Sequence, residues 1–103
     1  MKSNEKYVNQ EKSFSSYFLS FDTGPRIELM HRHDVLSAPS GKGNLSGLAH
    51  FAISVGSKEK VDLLTYQLKS DGIVIYGEPR TTGDGYYESV VLDPEGNKIE
   101  ITV

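Results

Sequence analysis

Aliphatic and polar residues alternate in two short segments that match each other. The first spans Arg26–Met30 and the second, 72 residues later, spans Lys98–Thr102. In both, a basic residue is followed by Ile, Glu and a further aliphatic residue. Alternation with a period of two predicts a strand with one buried face. An internal repeat indicates repeated architecture, so two copies predict two related modules that face a shared site.

The pattern after residue 46 predicts the order β-α-β-β-β. The segment 48–55 alternates as a strand, and Ser57 is a good N-cap for the helix that follows. Val61, Leu64 and Leu68 recur at helical spacing, with Leu63 broadening the stripe, and Gly72 is the expected C-terminal glycine. Three further strands are predicted at 73–76, 86–92 and 98–103, separated by a loop at 81–85 and a strong turn at 93–97.

The first part of the chain supplies only the last two strands of that pattern. An aromatic-rich strand is predicted at 14–21 and a second strand from Arg26 to about His31. Residues 1–12 are polar, which indicates a loose arm or the tail of a missing element. The predicted organisation is a partial first module at 1–36, a Gly/Ser/Pro-rich linker at 37–46 and a complete second module at 47–103.

The repeat also predicts what the first module lacks. His50 lies 50 residues before Glu100, and the position equivalent to His50 for Glu28 would precede Met1. A strand and a helix are therefore expected to be absent, either because the chain is a fragment or because another subunit supplies them. The alternative is a naturally shorter module. The aromatic strand would then lack its covering helix, and we expect a homodimer or larger assembly, since exposed apolar patches favour association.

The composition of the chain argues against some classes of binding partner. The net charge of −3 argues against nucleic acid. No apolar stretch approaches the roughly 20 residues that cross a bilayer, and the polar start does not resemble a signal peptide. These absences make the cytoplasm the default location. The chain has no cysteine, which excludes disulfides and thiolate ligands.

Three ionisable residues are expected on one concave sheet face. Glu28, His50 and Glu100 each project opposite to the aliphatic side of their strand, which should pack on a helix. One imidazole and two carboxylates are a plausible ligand set for Zn, Ni, Co, Mn or Fe, with positions left for water or substrate. The alternatives stay open: each glutamate could be solvent-exposed or pair with Arg26 or Lys98, and the histidine could be structural.

Other polar and aromatic residues are weaker candidates. His31 and His33 form a His-x-His pair, but they lie past the strand end in the opposite phase from Glu28, so we expect them on the surface. The side chains of Tyr86, Tyr87 and Glu88 could line a pocket or fill a β face.

Two motifs resemble a known family. The segment 47–55 (Gly-Leu-Ala-His-Phe-Ala-Ile-Ser-Val) resembles the opening strand of a module in the vicinal oxygen chelate superfamily. The segment 93–101 (Asp-Pro-Glu-Gly-Asn-Lys-Ile-Glu-Ile) resembles its closing hairpin. This superfamily includes glyoxalase I, bleomycin and fosfomycin resistance proteins, extradiol dioxygenases and methylmalonyl-CoA epimerase. The resemblance covers residues 14–103 and implies an α+β fold of paired βαβββ modules, with the first module incomplete.

The resemblance also implies a site and an activity. The family places four metal positions on the first and last strands of each module. Glu28, His50 and Glu100 match three of them, and the fourth, normally His or Gln, has no counterpart here. A glutamate in the first module resembles the glyoxalase-like pattern, in which a divalent ion holds vicinal substrate oxygens. The implied protein is a metalloenzyme similar to lactoylglutathione lyase, acting on a small oxo or thioester substrate, with Glu100 as base and Glu28 sharing that possibility.

Two alternatives belong to other functional classes. The chain could be a non-catalytic, drug-resistance-type protein that binds a small molecule in an aromatic pocket, for which Tyr17, Phe18, Tyr86 and Tyr87 are candidates. It could also be an inactive fragment of a glyoxalase-like protein whose fold depends on self-association.

Overall fold

The computed structural model describes residues 1–36, 43 and 46–103. Contacts divide the chain into two compact units, Met1–Ser37 and Ala38–Val103. The division falls within the predicted linker at 37–46, most of which lies outside the described residues. No helix in the described part of the chain is long and apolar enough to span a membrane.

The first unit is an antiparallel sheet. Its strands are β1 (Lys2–Ser3), β2 (Tyr7–Asn9), β3 (Phe14–Ser20) and β4 (Arg26–Arg32). Strand β3 is central: β4 pairs along one edge, and β1 and β2 pair one after the other along the opposite edge. The described residues of this unit contain no helix, and the two predicted strands are confirmed with small shifts of their ends.

The expectation of a loose arm over residues 1–12 is wrong. Asn4 lies between β1 and β2, and its backbone N–H donates to the Phe18 carbonyl at 3.1 Å. The Asn4 side chain completes the contact, since Oδ1 accepts from the Phe18 N–H at 2.7 Å. The Asn4 side chain therefore continues the hydrogen bonding to β3 across the gap between β1 and β2. Polar residues can form this exposed edge because the backbone supplies most of its hydrogen bonds.

The two faces of the first sheet differ in character. Glu28 and its register partner Phe18 lie on one face, and the Arg26 guanidinium stacks over the Phe18 ring at 4.6 Å. The other face is apolar, and Tyr17 and Leu29 on it are 40% and 52% exposed. An open groove of about 350 Å³ in this unit is lined by Lys6, Ser15, Ser16, Tyr17, Leu29, Met30 and His31.

The second unit is a βαβββ module, as predicted. Its elements are β5 (His50–Ser54), α1 (Lys58–Ser70), β6 (Ile75–Thr81), β7 (Tyr87–Leu92) and β8 (Lys98–Thr102). The sheet order is β5-β8-β7-β6, with β5 parallel to β8 and the other neighbours antiparallel. The α+β prediction is therefore confirmed. Strand β6 is longer than expected and includes Pro79, which an edge strand tolerates.

Both ends of α1 are fixed by the residues that the sequence indicated. Ser57 is the N-cap, and its hydroxyl accepts from the Lys60 N–H at 3.2 Å. At the other end Gly72 adopts a φ of +87°, which favours glycine. The next residue, Ile73, donates its N–H to the Leu68 carbonyl at 2.9 Å, the bond that closes a Schellman motif.

The core of the second unit lies between α1 and the sheet. Val61, Val91 and Ile101 are buried. Partly buried side chains surround them: Val55, Leu68, Ile73, Ile75, Tyr87 and Ile99. The predicted helical stripe needs a correction, because Leu63 is 69% and Leu64 37% exposed.

Thr65 takes the central helical position instead. It lies one turn after Val61 and is buried. Its hydroxyl is 2.6 Å from the Val61 carbonyl and 2.7 Å from the Ser89 hydroxyl of β7. These contacts satisfy both buried hydroxyls, as a buried polar group requires.

The turn between β7 and β8 is closed by Asp93. Its Oδ1 accepts from the backbone N–H of Glu95 at 2.9 Å and of Asn97 at 2.8 Å. The Asn97 amide donates to Oδ2 at 2.7 Å, and Gly96 provides the positive φ of 82°. This turn fixes where β8 begins and so sets the register of Glu100.

Candidate functional site

The candidate site is built on the face of the second sheet that is turned away from α1, which we call the open face. It is defined by His50 on β5, Glu88 on β7 and Glu100 on β8. Ala52 is the register partner of Glu100, so His50, two residues earlier, lies on the same face. Ile101 packs in the core on the other side. The predicted division of β5 and β8 into a polar and an aliphatic face is therefore correct.

His50 and Glu100 are in direct contact. His50 Nε2 lies 3.0 Å from Glu100 Oε1, and the two side chains are 44% and 22% exposed. A ring nitrogen and a carboxylate oxygen thus meet at one accessible point on the open face. The Lys98 ammonium, which was the alternative partner for Glu100, lies instead over the Tyr76 ring, 4.5 Å from its centre.

A second carboxyl adjoins this pair. Val90 is the register partner of Glu100, and Glu88 precedes Val90 by two residues on the same face. Burial is the main cause that raises the pKa of Glu88, followed by its interaction with the Glu100 carboxylate and that group's charge, and the nearby Arg80 opposes the shift. The sequence placed Glu88 in a pocket or a β face without linking it to Glu100. Alternation along β7 puts Glu88 on the same face as Val90, and this signal in the sequence could have placed Glu88 near Glu100.

Glu28 belongs to the first unit. It is exposed on β4 and makes no ion pair within the described residues, where the Arg26 guanidinium stacks on Phe18 instead. Its predicted grouping with His50 and Glu100 stays a prediction. His31 and His33 are exposed, as expected, but His31 lies within β4 and not past its end.

A comparison with models of known protein families shows which superfamily the chain belongs to. The family model of the Glyoxalase/Bleomycin resistance protein/Dioxygenase superfamily matches residues 1–101. The chain belongs to this superfamily. The match extends to the N-terminal strands β1 and β2, which the two sequence motifs do not reach.

Solved structures of this superfamily share the fold. Glyoxalase I from Zea mays is similar with 27% identity and a TM-score of 0.77, over 98% of this chain but 35% of that one. A glyoxylase/bleomycin resistance protein/dioxygenase domain from Frankia sp. has 17% identity and a TM-score of 0.79, over 99% and 76% of the two chains. A glyoxalase family protein from Enterococcus faecalis has 21% identity and a TM-score of 0.73, over 99% and 77%. This chain therefore spans about a third of the maize enzyme.

The comparison with curated proteins found no match. The superfamily assignment therefore rests on the family model and the solved structures.

The side chains on the open face carry donor atoms of the kind that bind divalent metal ions. His50 and Glu100 offer an imidazole nitrogen and a carboxylate oxygen, the ligand types that zinc and related divalent ions accept. The 3.0 Å contact places these two donors side by side. Within residues 1–36, 43 and 46–103 no set of three His, Cys, Asp or Glu side chains is grouped closely enough to hold an ion. The assignment of His50 and Glu100 as metal ligands therefore stays a prediction.

Among the described residues of each unit, the four aromatic candidates are not grouped in one pocket. Tyr17 and Phe18 are neighbours in β3 and point to opposite faces. Tyr87 lies on the helix side of the second sheet, where its hydroxyl donates to Asp62 Oδ1 at 2.5 Å. This hydrogen bond, with burial and the charges of Asp62 and Glu59, raises the pKa of Tyr87.

Proposed function

We propose that the protein is a glyoxalase-type, metal-dependent lyase or isomerase that acts on a small oxo or thioester substrate. The observation that carries the proposal is the contact between His50 and Glu100 on the open face of a βαβββ module. Superfamily membership and the similarity to glyoxalase I support it. A divalent ion, when bound, would polarise the substrate oxygens as a Lewis acid.

The residues of the chain have separate roles in this proposal. His50 and Glu100, whose side chains are in contact, would hold the ion through the imidazole and the carboxylate. Glu100 moves the proton from the carbon next to the substrate carbonyl, which a carboxylate does well when it is fixed within hydrogen-bonding distance. Its exposed fraction of 22% leaves the carboxylate partly reachable from solvent. Glu28 is proposed as a further ligand and as the other carboxylate able to transfer the proton.

Chelator treatment tests the proposal. The substrates are adducts of a small 2-oxoaldehyde with glutathione or another thiol, and small thioesters, each assayed with protein loaded with Zn, Ni, Co, Mn or Fe. We expect turnover that is lost after removal of the metal and restored by adding it back, because the proton to be moved is acidic only while the carbonyl is polarised. Turnover that survives complete metal removal would contradict metal dependence. Failure of every metal-loaded form on every substrate would contradict the activity.

Self-association is part of the proposal. The apolar face of the first sheet exposes large side chains, among them Val8 at 54%, Tyr17 at 40% and Leu29 at 52%, and such patches favour association. We expect a homodimer or larger species in light scattering, shifted toward monomer by Leu29→Lys. Leu63→Lys on the exposed side of α1 is the control. A wild-type monomer at all concentrations would contradict the prediction.

A further inference from the structure

A bulge in strand β6 turns Arg80 onto the open face. Gly77 pairs with Val90 and Arg80 pairs with Glu88, so three steps along β6 match two steps along β7. In a regular strand, positions three apart point to opposite faces. The extra residue brings Gly77 and Arg80 to one face, and bulges beside active sites commonly redirect a side chain in this way. Arg80 is therefore on the face that carries the candidate site.

Gly77 leaves room for the guanidinium of Arg80. A Cβ atom at Gly77 would lie 3.2 Å from Arg80 Nη1 and 3.6 Å from the Cβ atom of Val90. Gly77 does not have a positive φ, so the backbone conformation does not require a glycine at this position. The glycine instead provides the space in which the guanidinium lies against β6 and beside Val90.

The guanidinium lies in the same row of the sheet as Glu100. Gly77, Val90 and Glu100 are successive register partners on β6, β7 and β8. Neighbouring strands are about 4.8 Å apart, so the guanidinium and the backbone of Glu100 are separated by roughly two strand spacings, or about 10 Å. The buried side chain of Val90 forms an apolar floor between them.

The charges around Arg80 leave it available to an anion. Arg80 is exposed and forms no ion pair among the described residues. Glu78, the acidic residue closest to it along β6, turns to α1 instead and pairs with Lys69 at 2.8 Å. Glu88 faces Arg80 across the strand pair and adds one negative charge, but the two side chains are not in ion-pair contact.

We propose that Arg80 is a specificity-determining residue, which binds an acidic group of the substrate, a carboxylate or a phosphate. The inference rests on the proposed function, because that function places the reacting carbon at Glu100. A guanidinium presents parallel N–H groups that match either anion. Since two strand spacings separate Arg80 from Glu100, the acidic group lies a few bonds from the reacting carbon.

Anion binding to the metal-free protein is the first test. NMR follows the backbone amide signals of Gly77 and Val90 during separate titrations with phosphate and with acetate. We expect both signals to move in wild type, and the affinity to fall roughly tenfold or more in Arg80→Gln. Lys98→Gln is the control, because Lys98 is a cation of the same face that lies over Tyr76. The anion that binds more tightly identifies the acidic group. Signals that respond to neither anion, or that respond equally in Arg80→Gln and wild type, would overturn the assignment.

Substrate preference is the second test. The adducts of a small 2-oxoaldehyde with mercaptoacetate and with mercaptoethanol differ in one acidic group, and mercaptoethyl phosphate replaces mercaptoacetate if phosphate binds more tightly. With metal-loaded protein we expect kcat/KM to be roughly tenfold higher for the acidic adduct in wild type, and the ratio to approach one in Arg80→Gln. Gly77→Val keeps the charge but fills the space of the guanidinium, so it should also lower the ratio.

The outcomes separate this inference from the proposed function. A wild-type ratio near one, or a ratio that Arg80→Gln does not change, would overturn the specificity role and leave the proposed function standing. If no metal-loaded form turns over either adduct, the proposed function fails, and the anion titrations alone support or overturn the binding of an anion by Arg80.

Discussion

Glu100→Gln is expected to lower the affinity for a divalent ion by more than 100-fold and to abolish turnover. Glutamine has nearly the shape of glutamate, so β8 and the core behind it should not change. What is lost is the negative charge that lies 3.0 Å from the imidazole of His50. Removal of a direct ligand should exceed the roughly 10–100-fold cost of removing an outer partner. It also removes the base, which glutamine cannot replace.

The measurement is calorimetric titration with Zn²⁺ and Ni²⁺, followed by the turnover assay. Lys98→Gln is the matched control, because Lys98 is two residues earlier on the same strand and face but packs over Tyr76. The control should keep its metal affinity, and both variants should melt close to wild type. Equal affinity in Glu100→Gln and wild type would show that the metal, if bound, is held elsewhere.

The same titration on Glu28→Gln tests the grouping that the repeat predicted. Glu28 is exposed on the first sheet, so its replacement should leave the melting temperature unchanged. A large loss of affinity would show that both modules contribute ligands to one ion. Affinity equal to wild type would restrict the site to the second module.

The second module could be predicted closely because its ends are marked by local chemistry. The Ser57 cap, the positive φ at Gly72 and the Asp93 turn each depend on residues a few positions apart. Their signals are therefore visible in the sequence alone. The open face followed from the period of two, so the presence of His50 and Glu100 on one side needed no tertiary information.

The features that escaped prediction depend on contacts between distant residues. Strands β1 and β2 contain few apolar residues, and Asn4 joins them through Phe18, 14 residues away. The nearness of Glu88 to Glu100 depends on the register of β7 and β8, in which Val90 is the partner of Glu100 and which the turn at Asp93 sets. Periodicity shows which face a residue occupies, but register decides which neighbour it contacts.

The predicted apolar stripe of α1 was partly wrong for a related reason. Leucine is more apolar than threonine, so the pattern favoured Leu64 as the inward residue. In the structure the phase is set by Val61, and Thr65 follows it one turn later. The free-energy cost of burying the Thr65 hydroxyl is offset by its hydrogen bond with the Ser89 hydroxyl on β7. A buried hydrogen-bonded pair can therefore outweigh apolar character in fixing the rotation of a helix.

Ile101→Ala is expected to lower the free energy of unfolding by about 2–5 kcal/mol, the usual range for truncating a buried isoleucine. Ile101 is 3% exposed and packs with Val61 and Val91 where α1 crosses the sheet. The three residues form the buried apolar cluster among the described residues, and truncating one of them leaves a cavity between α1 and the sheet. Small domains are stable by only about 5–15 kcal/mol, and the loss is a large share of that.

Thermal melting of the metal-free variants measures this effect. For a domain of this size each kcal/mol lowers the melting temperature by about 4–8 °C. Leu63→Ala is the control, because that side chain is 69% exposed and its removal should change stability little. Ile101 is adjacent to Glu100, so its packing against α1 anchors the strand that carries the carboxylate. An Ile101→Ala variant with the melting temperature of wild type would show that β8 is held by its hydrogen bonds to the neighbouring strands rather than by the core.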